Sequence, residues 1–117
     1  MEYYNIHDLV GKHCMTPQHG QKVYDLIHPE LLAERPVDLD FAGVDIFASP
    51  FFNFAIGQLL RDIPPETLNR LLKVSNLNRV GRQILRQVIE NSKQYYSLDE
   101  NTRQAVDKVV SEQANSL

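Results

Sequence analysis

Between Val37 and Phe41 the apolar residues Val37, Leu39 and Phe41 alternate with Asp38 and Asp40, the two-residue period of a strand with one buried face. A few positions later the period changes. Ser49 and Pro50 precede a stretch, Phe51 to Leu60, that is almost wholly apolar. A serine oxygen accepts from first-turn amides and proline is tolerated at the first helical position, so the pair predicts a helix start with Ser49 as its cap. A helix with that little polar surface has to be packed on most sides. Upstream, residues 3–10 predict a short strand closed by Gly11. Thr16 is the expected cap of a helix that carries Val23, Leu26, Ile27 and Leu31 on one side and stops at Arg35-Pro36. Downstream, Ile63-Pro64-Pro65 breaks the chain and residues 69–75 predict a third strand. From Asn78 to about Tyr96, the residues Val80, Ile84, Leu85, Val88 and Ile89 trace one face of a third helix.

Strands and helices thus alternate three times, which implies crossover connections and mostly parallel neighbours. The expected fold is α/β: a small open sheet of about three to four mostly parallel strands covered by helices, over residues 1–95. With 117 residues there is room for one core. Residues 96–117 are expected to add a C-terminal helix capped by Asp99, with Ala105, Val106, Val109 and Val110 as a narrow apolar stripe, and a frayed polar tail. That stripe would dock on the domain or hold two copies together as a homodimer.

Composition narrows the class further. A hydrophobic fraction of 43% suits a globular domain. Cys14 is the single cysteine, which rules out an internal disulfide and fits a reducing compartment. No apolar run approaches the roughly 20 residues that span a bilayer, and the start Met1-Glu2-Tyr3-Tyr4 is unlike a signal peptide. The expectation is a cytoplasmic protein away from membranes. The formal net charge of −3 is spread unevenly: residues 1–60 carry three Lys/Arg against eight Asp/Glu, residues 61–93 seven against three, and residues 94–117 two against four. An acidic first half beside a basic stretch has the layout that steers a charged partner.

The ordered set Leu39-Asp40-Phe41-Ala42-Gly43-Val44, the junction Ser49-Pro50-Phe51-Phe52, and the later Leu71-Leu72-Lys73-Val74 running into Asn76-Leu77 resembles a bacterial STAS-like family of unknown function. It is related in pattern to the STAS domains of anti-sigma-factor antagonists. The similarity covers residues from about 20 to 95. The resemblance implies a non-enzymatic regulatory module that docks on an ATP-binding, kinase-like or anti-sigma-like partner. By the same resemblance, it is released when that partner phosphorylates a hydroxyl at this helix start. The chain departs from the antagonists in one respect. They carry an aspartate and adjacent hydroxyl residues followed by Gly-Leu, where this chain has Ala48-Ser49-Pro50-Phe51-Phe52, so Ser49 is the one hydroxyl left.

Candidate residues follow. Ser49 is a phosphoacceptor or a helix cap, and Asp45, Ser49, Phe52 and Asn53 form the candidate partner surface. Arg79, Arg82 and Arg86 recur at helical spacing, with Lys93 two turns on, as a basic face; Glu90 lies four residues past Arg86, the reach of a helical ion pair. Two other classes stay in view, a small-ligand or nucleotide sensor at the strand ends and a nucleic-acid adaptor using the basic helix. Overall acidity and the lack of an aromatic platform argue against nucleic acid. Asp38, Asp40 and Asp45 suggest a cation site without a phosphate loop beside them, and His13, Cys14, His19 and His28 do not match zinc spacings. With no nucleophile and base in a recognisable turn, neither a catalytic residue nor a cofactor or metal is expected.

Overall fold

A computed structural model describes residues 1–97 of the chain. In chain order the elements are β1 (Glu2–Asn5), α1 (Ile6–Val10), β2 (His13–Cys14), α2 (Pro17–Leu32), β3 (Val37–Asp40), β4 (Ile46–Phe47), α3 (Ser49–Ala55), a 3-10 turn (Gly57–Arg61), α4 (Pro65–Leu71), β5 (Leu72–Ser75) and α5 (Arg79–Tyr96). The main sheet has the order β1-β3-β5 and is wholly parallel. Glu2 lies opposite Val37 and Asn5 opposite Asp40, while Val37 lies opposite Leu72 and Asp40 opposite Ser75. A second parallel pair joins β2 to β4, with His13 opposite Ile46 and Cys14 opposite Phe47. This is the expected α/β architecture with a parallel sheet flanked by helices.

Three boundaries differ from the sequence reading, each for a local reason. The expected strand at 3–10 stops at Asn5, whose side chain accepts from the Asp8 amide at 2.9 Å and caps a helical turn; such capping competes with the strand ladder. The expected strand at 69–75 is a helix as far as Leu71, because Pro65 sits in its first turn and Leu68 and Leu71 face inward three residues apart. The apolar run after Ser49 is a helix only to Ala55 and continues as the 3-10 turn from Gly57. A Cβ at Gly57 would lie 2.6 Å from Ser92 Oγ and 3.2 Å from Val88 Cγ1 of α5, so this turn passes directly beneath α5.

The core lies on one side of the sheet. Val37 and Leu39 of β3 point into it, together with Val23, Ile27 and Leu31 of α2 and Phe51, Phe52 and Ala55 of α3. Leu85 and Val88 add the inner side of α5. Leu26 and Val80, which the helical spacing places inward, are instead exposed. The most extensively packed helix pair is α2 with α3. There Gly20 lets the helices meet: a Cβ would lie 2.9 Å from Phe54 Cβ and would press on the Phe51 carbonyl. On the opposite sheet face Tyr3, Asn5, Asp38, Asp40, Lys73 and Ser75 alternate with the core residues, and Tyr3 and Lys73 are exposed. Parallel sheets are usually covered on both faces; this one has a polar second face laced by its own hydrogen bonds. The additional helix expected from Asp99, with its valine stripe, lies outside the described residues.

Candidate interaction surface

The segment after β3 is fastened from behind, residue by residue. The Phe41 amide donates to the Ser75 carbonyl at 2.9 Å and the Val44 amide to the Phe41 carbonyl at 3.0 Å. Gly43, with φ of 85°, makes the turn in a left-handed conformation that favours glycine. The Asp45 amide donates to the Lys12 carbonyl and the Ala48 amide to the Cys14 carbonyl, both at 2.9 Å. Four rings then fill the space beneath. The Phe41, Phe47 and Phe52 centroids lie 5.6 to 6.0 Å apart, and the Phe51 ring meets Phe52 edge-on at 5.3 Å.

That ring cluster corrects two expectations. Phe52 is fully buried and belongs to the core, not to the partner surface. Phe51 is buried with it, and the exposed aromatic of the helix is Phe54, at 42%, one residue past the Asn53 that the sequence favoured. Ser49 is not the cap either. Ala48 holds the cap position with extended backbone and no side-chain hydrogen bond, while Ser49 is the first helical residue and is exposed. Proline in the first turn already removes one orphan amide, and the Phe51 amide turns back to the Ala48 carbonyl at 3.2 Å. Asp45, Ser49 and Asn53 are exposed as expected, together with Ile46 at 45%. Ile46 points outward because the strand alternation sends Phe47 inward.

The basic helix joins this segment. Asn78 caps α5 by accepting from the Gly81 amide at 2.8 Å, and its amide nitrogen donates to the Asp45 carbonyl at 3.3 Å. A Cβ on Gly81 would lie 3.0 Å from the Phe47 ring, so the start of α5 rests against β4. Asp45 and the first basic residue, Arg79, therefore flank one hydrogen-bonded joint although 34 positions apart. Arg79, Arg82 and Arg86 are all exposed. Glu90 pairs with Lys93 at 3.8 Å, three residues ahead, in place of the expected bond back to Arg86. Beneath Arg82 and Arg86, between α5 and β5, runs an open groove of about 630 Å³ floored by Val74, Leu85 and Ile89.

At the carboxyl ends of the strands, where ligands of α/β sheets commonly bind, Asp40 is already engaged. It accepts from the Asn76 side chain and the Ala42 amide, each at 2.9 Å, and from the Tyr3 hydroxyl. These donors, Asn76 first, hold its carboxyl below the usual carboxylate range, and the same bond raises the Tyr3 hydroxyl. Asp38 accepts from Ser75 Oγ at 2.8 Å. The two carboxylates tie β3 to its neighbours, and Asp45 lies apart from them beyond the turn. The histidines are likewise dispersed: His28 stacks on Tyr24 and meets Asp62 at 2.8 Å, while Cys14 is buried, its thiol pushed up to about 12 by desolvation. Among the described residues no cluster of three or more His, Cys, Asp or Glu has the arrangement to hold a metal ion, and no helix is long and apolar enough to cross a membrane.

A short parallel sheet with its helices on one face, and a loop that delivers a serine to a helix start beside the strand ends, defines a small STAS-like α/β domain. The chain belongs to the family described as a STAS-like domain of unknown function, whose model matches residues 19–82. The match runs from α2 through the start of α5 and includes the whole 41–54 segment. No curated protein and no solved structure matches the chain.

Proposed function

We propose that the chain is a non-enzymatic regulatory module of the cytoplasm that docks through Asp45, Ser49 and Asn53, with Ile46 and Phe54, on an ATP-binding, kinase-like or anti-sigma-like protein. Ser49 carries the switch. The observation that supports this is the state of its hydroxyl: exposed, at a helix start, and not used as the cap. Modifying such a hydroxyl costs no native hydrogen bond of the helix start. Phosphorylation there places a dianion against the positive end of α3 and adds its charge to that of the exposed Asp45, making the patch strongly negative. The module keeps its fold and changes its docking face. Rigid backing by Phe51 and Phe52 and by the bond from Ala48 to Cys14 means the patch is presented in one geometry, which lowers the ordering cost of association. Phe54, half-exposed on the same helix, is the anchor of the type enriched in binding hot spots.

The test is affinity capture from the source cells with the native protein, Ser49→Ala and Ser49→Asp, with retained proteins identified by mass. Retention of an ATP-binding regulator by the native protein and Ser49→Ala, and its loss with Ser49→Asp, is the expected outcome. Equal retention by all three removes the switch. The strand-end carboxylates are occupied by internal donors, which weighs against the ligand-sensor reading of the same region.

A further inference from the structure

Among the described residues no strand pairs with the outer side of β5; there the Leu72 amide is taken by the Leu68 carbonyl of α4, so the edge left to a further strand is centred on Val74. In a parallel ladder the backbone groups of successive residues face alternate neighbours. The Ser75 carbonyl accepts from Phe41, so Ser75 and Lys73 face β3, and the amide and carbonyl of Val74 point away from the sheet. Beside that edge lie two adjoining hollows, of about 630 and 270 Å³, that share Val74, Leu85, Ile89 and Lys93. Together they form one trench bounded by α5 on one side and by β5 and α4 on the other. Its floor is apolar and half-buried. Along one wall stand Arg82, Arg86 and Lys93, against the single carboxylate of Glu90.

The outward amide and carbonyl of Val74 over an apolar floor give an added strand its first pairing point: backbone pairing supplies affinity and alternate side chains fill the floor. The cationic wall selects the charge of the newcomer. A second copy paired edge to edge by a two-fold axis would set two such basic walls against each other, which disfavours it. We propose that the β5 edge and the trench beside it bind an extended acidic segment of another protein by strand addition, its apolar side chains over Leu85 and Ile89 and its carboxylates toward Arg82 and Arg86. This trench adjoins the Asp45 to Phe54 patch at the first turn of α5, but the strand addition uses no residue between Asp45 and Phe54.

The probe is a fluorescein-labelled decapeptide alternating valine with glutamate, titrated by anisotropy against the full-length protein, with a valine–lysine decapeptide as its charge counterpart. The variants are Arg82→Glu/Arg86→Glu and Val74→Pro; the second removes the outward amide yet leaves the ladder to β3, since proline is tolerated where its nitrogen faces away from the sheet. Thermal melts establish that each variant folds. Saturable binding of the glutamate peptide, weakened about tenfold or more by each variant, absent for the lysine peptide and unchanged in Ser49→Asp, is the expected result. The proposal is overturned if the glutamate peptide fails to bind the native protein or binds folded variants as well as the native. It is overturned too if a DNA duplex displaces the peptide and binds more tightly, which would assign the arginines to phosphates. Binding seen only in a full-length Val106→Ser/Val109→Ser/Val110→Ser variant would make the chain's own end the occupant and overturn it likewise.

Discussion

Asp40 shows how one side chain fastens the sheet. Its oxygens draw in Tyr3 from β1, Asn76 beyond β5 and the amide that starts the 41–48 loop, so three pieces of chain converge on one carboxylate. Because these donors favour the ionised form, the native state holds fewer protons here than the unfolded chain does near pH 4. The stabilisation is present above the unfolded pKa of about 3.9 and is lost as pH falls through the lower native value. Tyr3 has the opposite sign: its hydroxyl is raised, chiefly by the bond to Asp40, so its contribution is present below about pH 10 and is lost as pH rises through the native value. In urea titrations Asp40→Asn should be less stable than the native protein at neutral pH, with the gap closing below about pH 4. A gap that stays constant down to low pH would remove the charged role of Asp40. Cys14 gives a second residue-level expectation. Fully buried, with its thiol pushed up to about 12, it should react with iodoacetamide only as fast as the protein opens. Rapid labelling in native buffer contradicts the burial.

At the level of elements, α2 and α3 form the platform beneath the proposed docking segment, and Gly20 is a position of close approach between them. Gly20→Ala puts a methyl group against Phe54 and the α3 backbone, and overpacking of that kind costs about 1–3 kcal/mol; a urea midpoint unchanged from the native one would show that the helices separate freely. Phe52→Ala should cost about 3–5 kcal/mol as a fully buried aromatic, whereas Phe54→Ala, at a half-exposed ring beside α2, should cost about 1 kcal/mol and weaken docking. The reverse ranking in denaturation and binding assays would exchange their roles. Strong periods were legible in the sequence: β3 from its strict alternation, α2 from Thr16 and its buried stripe, α5 from Asn78 onward. The two-residue strands β2 and β4 were not, since a pair of residues carries no period. Residues 69–71 misled because Leu71 continues an apolar run across a helix-to-strand junction, and Phe52 because two adjacent phenylalanines near a helix start can both be buried when rings approach from β3 and β4 on one side and α2 on the other. The joint between Asp45 and Asn78 lies in tertiary structure alone, since it joins residues 33 positions apart.

For the molecule as a whole, the distribution of charge follows the architecture. The acidic first half supplies β1, α2 and β3, and the basic stretch supplies α4, β5 and α5, so the proposed docking segment adjoins the basic part at the Asp45–Asn78 joint, with Asp45 on one side and Arg79 on the other. Association with a charged partner should therefore slow as salt rises, because exposed charges are screened beyond about 8 Å at physiological ionic strength. Stopped-flow rates independent of salt would remove electrostatic steering. The domain's rigid backing and its unused serine hydroxyl meet at the Asp45 to Phe54 surface, and amide hydrogen exchange on the full-length protein, alone and saturated with any ATP-binding regulator that the affinity capture retains, tests the proposed docking surface directly. Slowed exchange confined to the backbone between Asp45 and Phe54 and the first turn of α5, and absent when Ser49→Asp is mixed with the same regulator, is the expected result. Slowed exchange elsewhere with no change across residues 45–54 would contradict docking through Ser49.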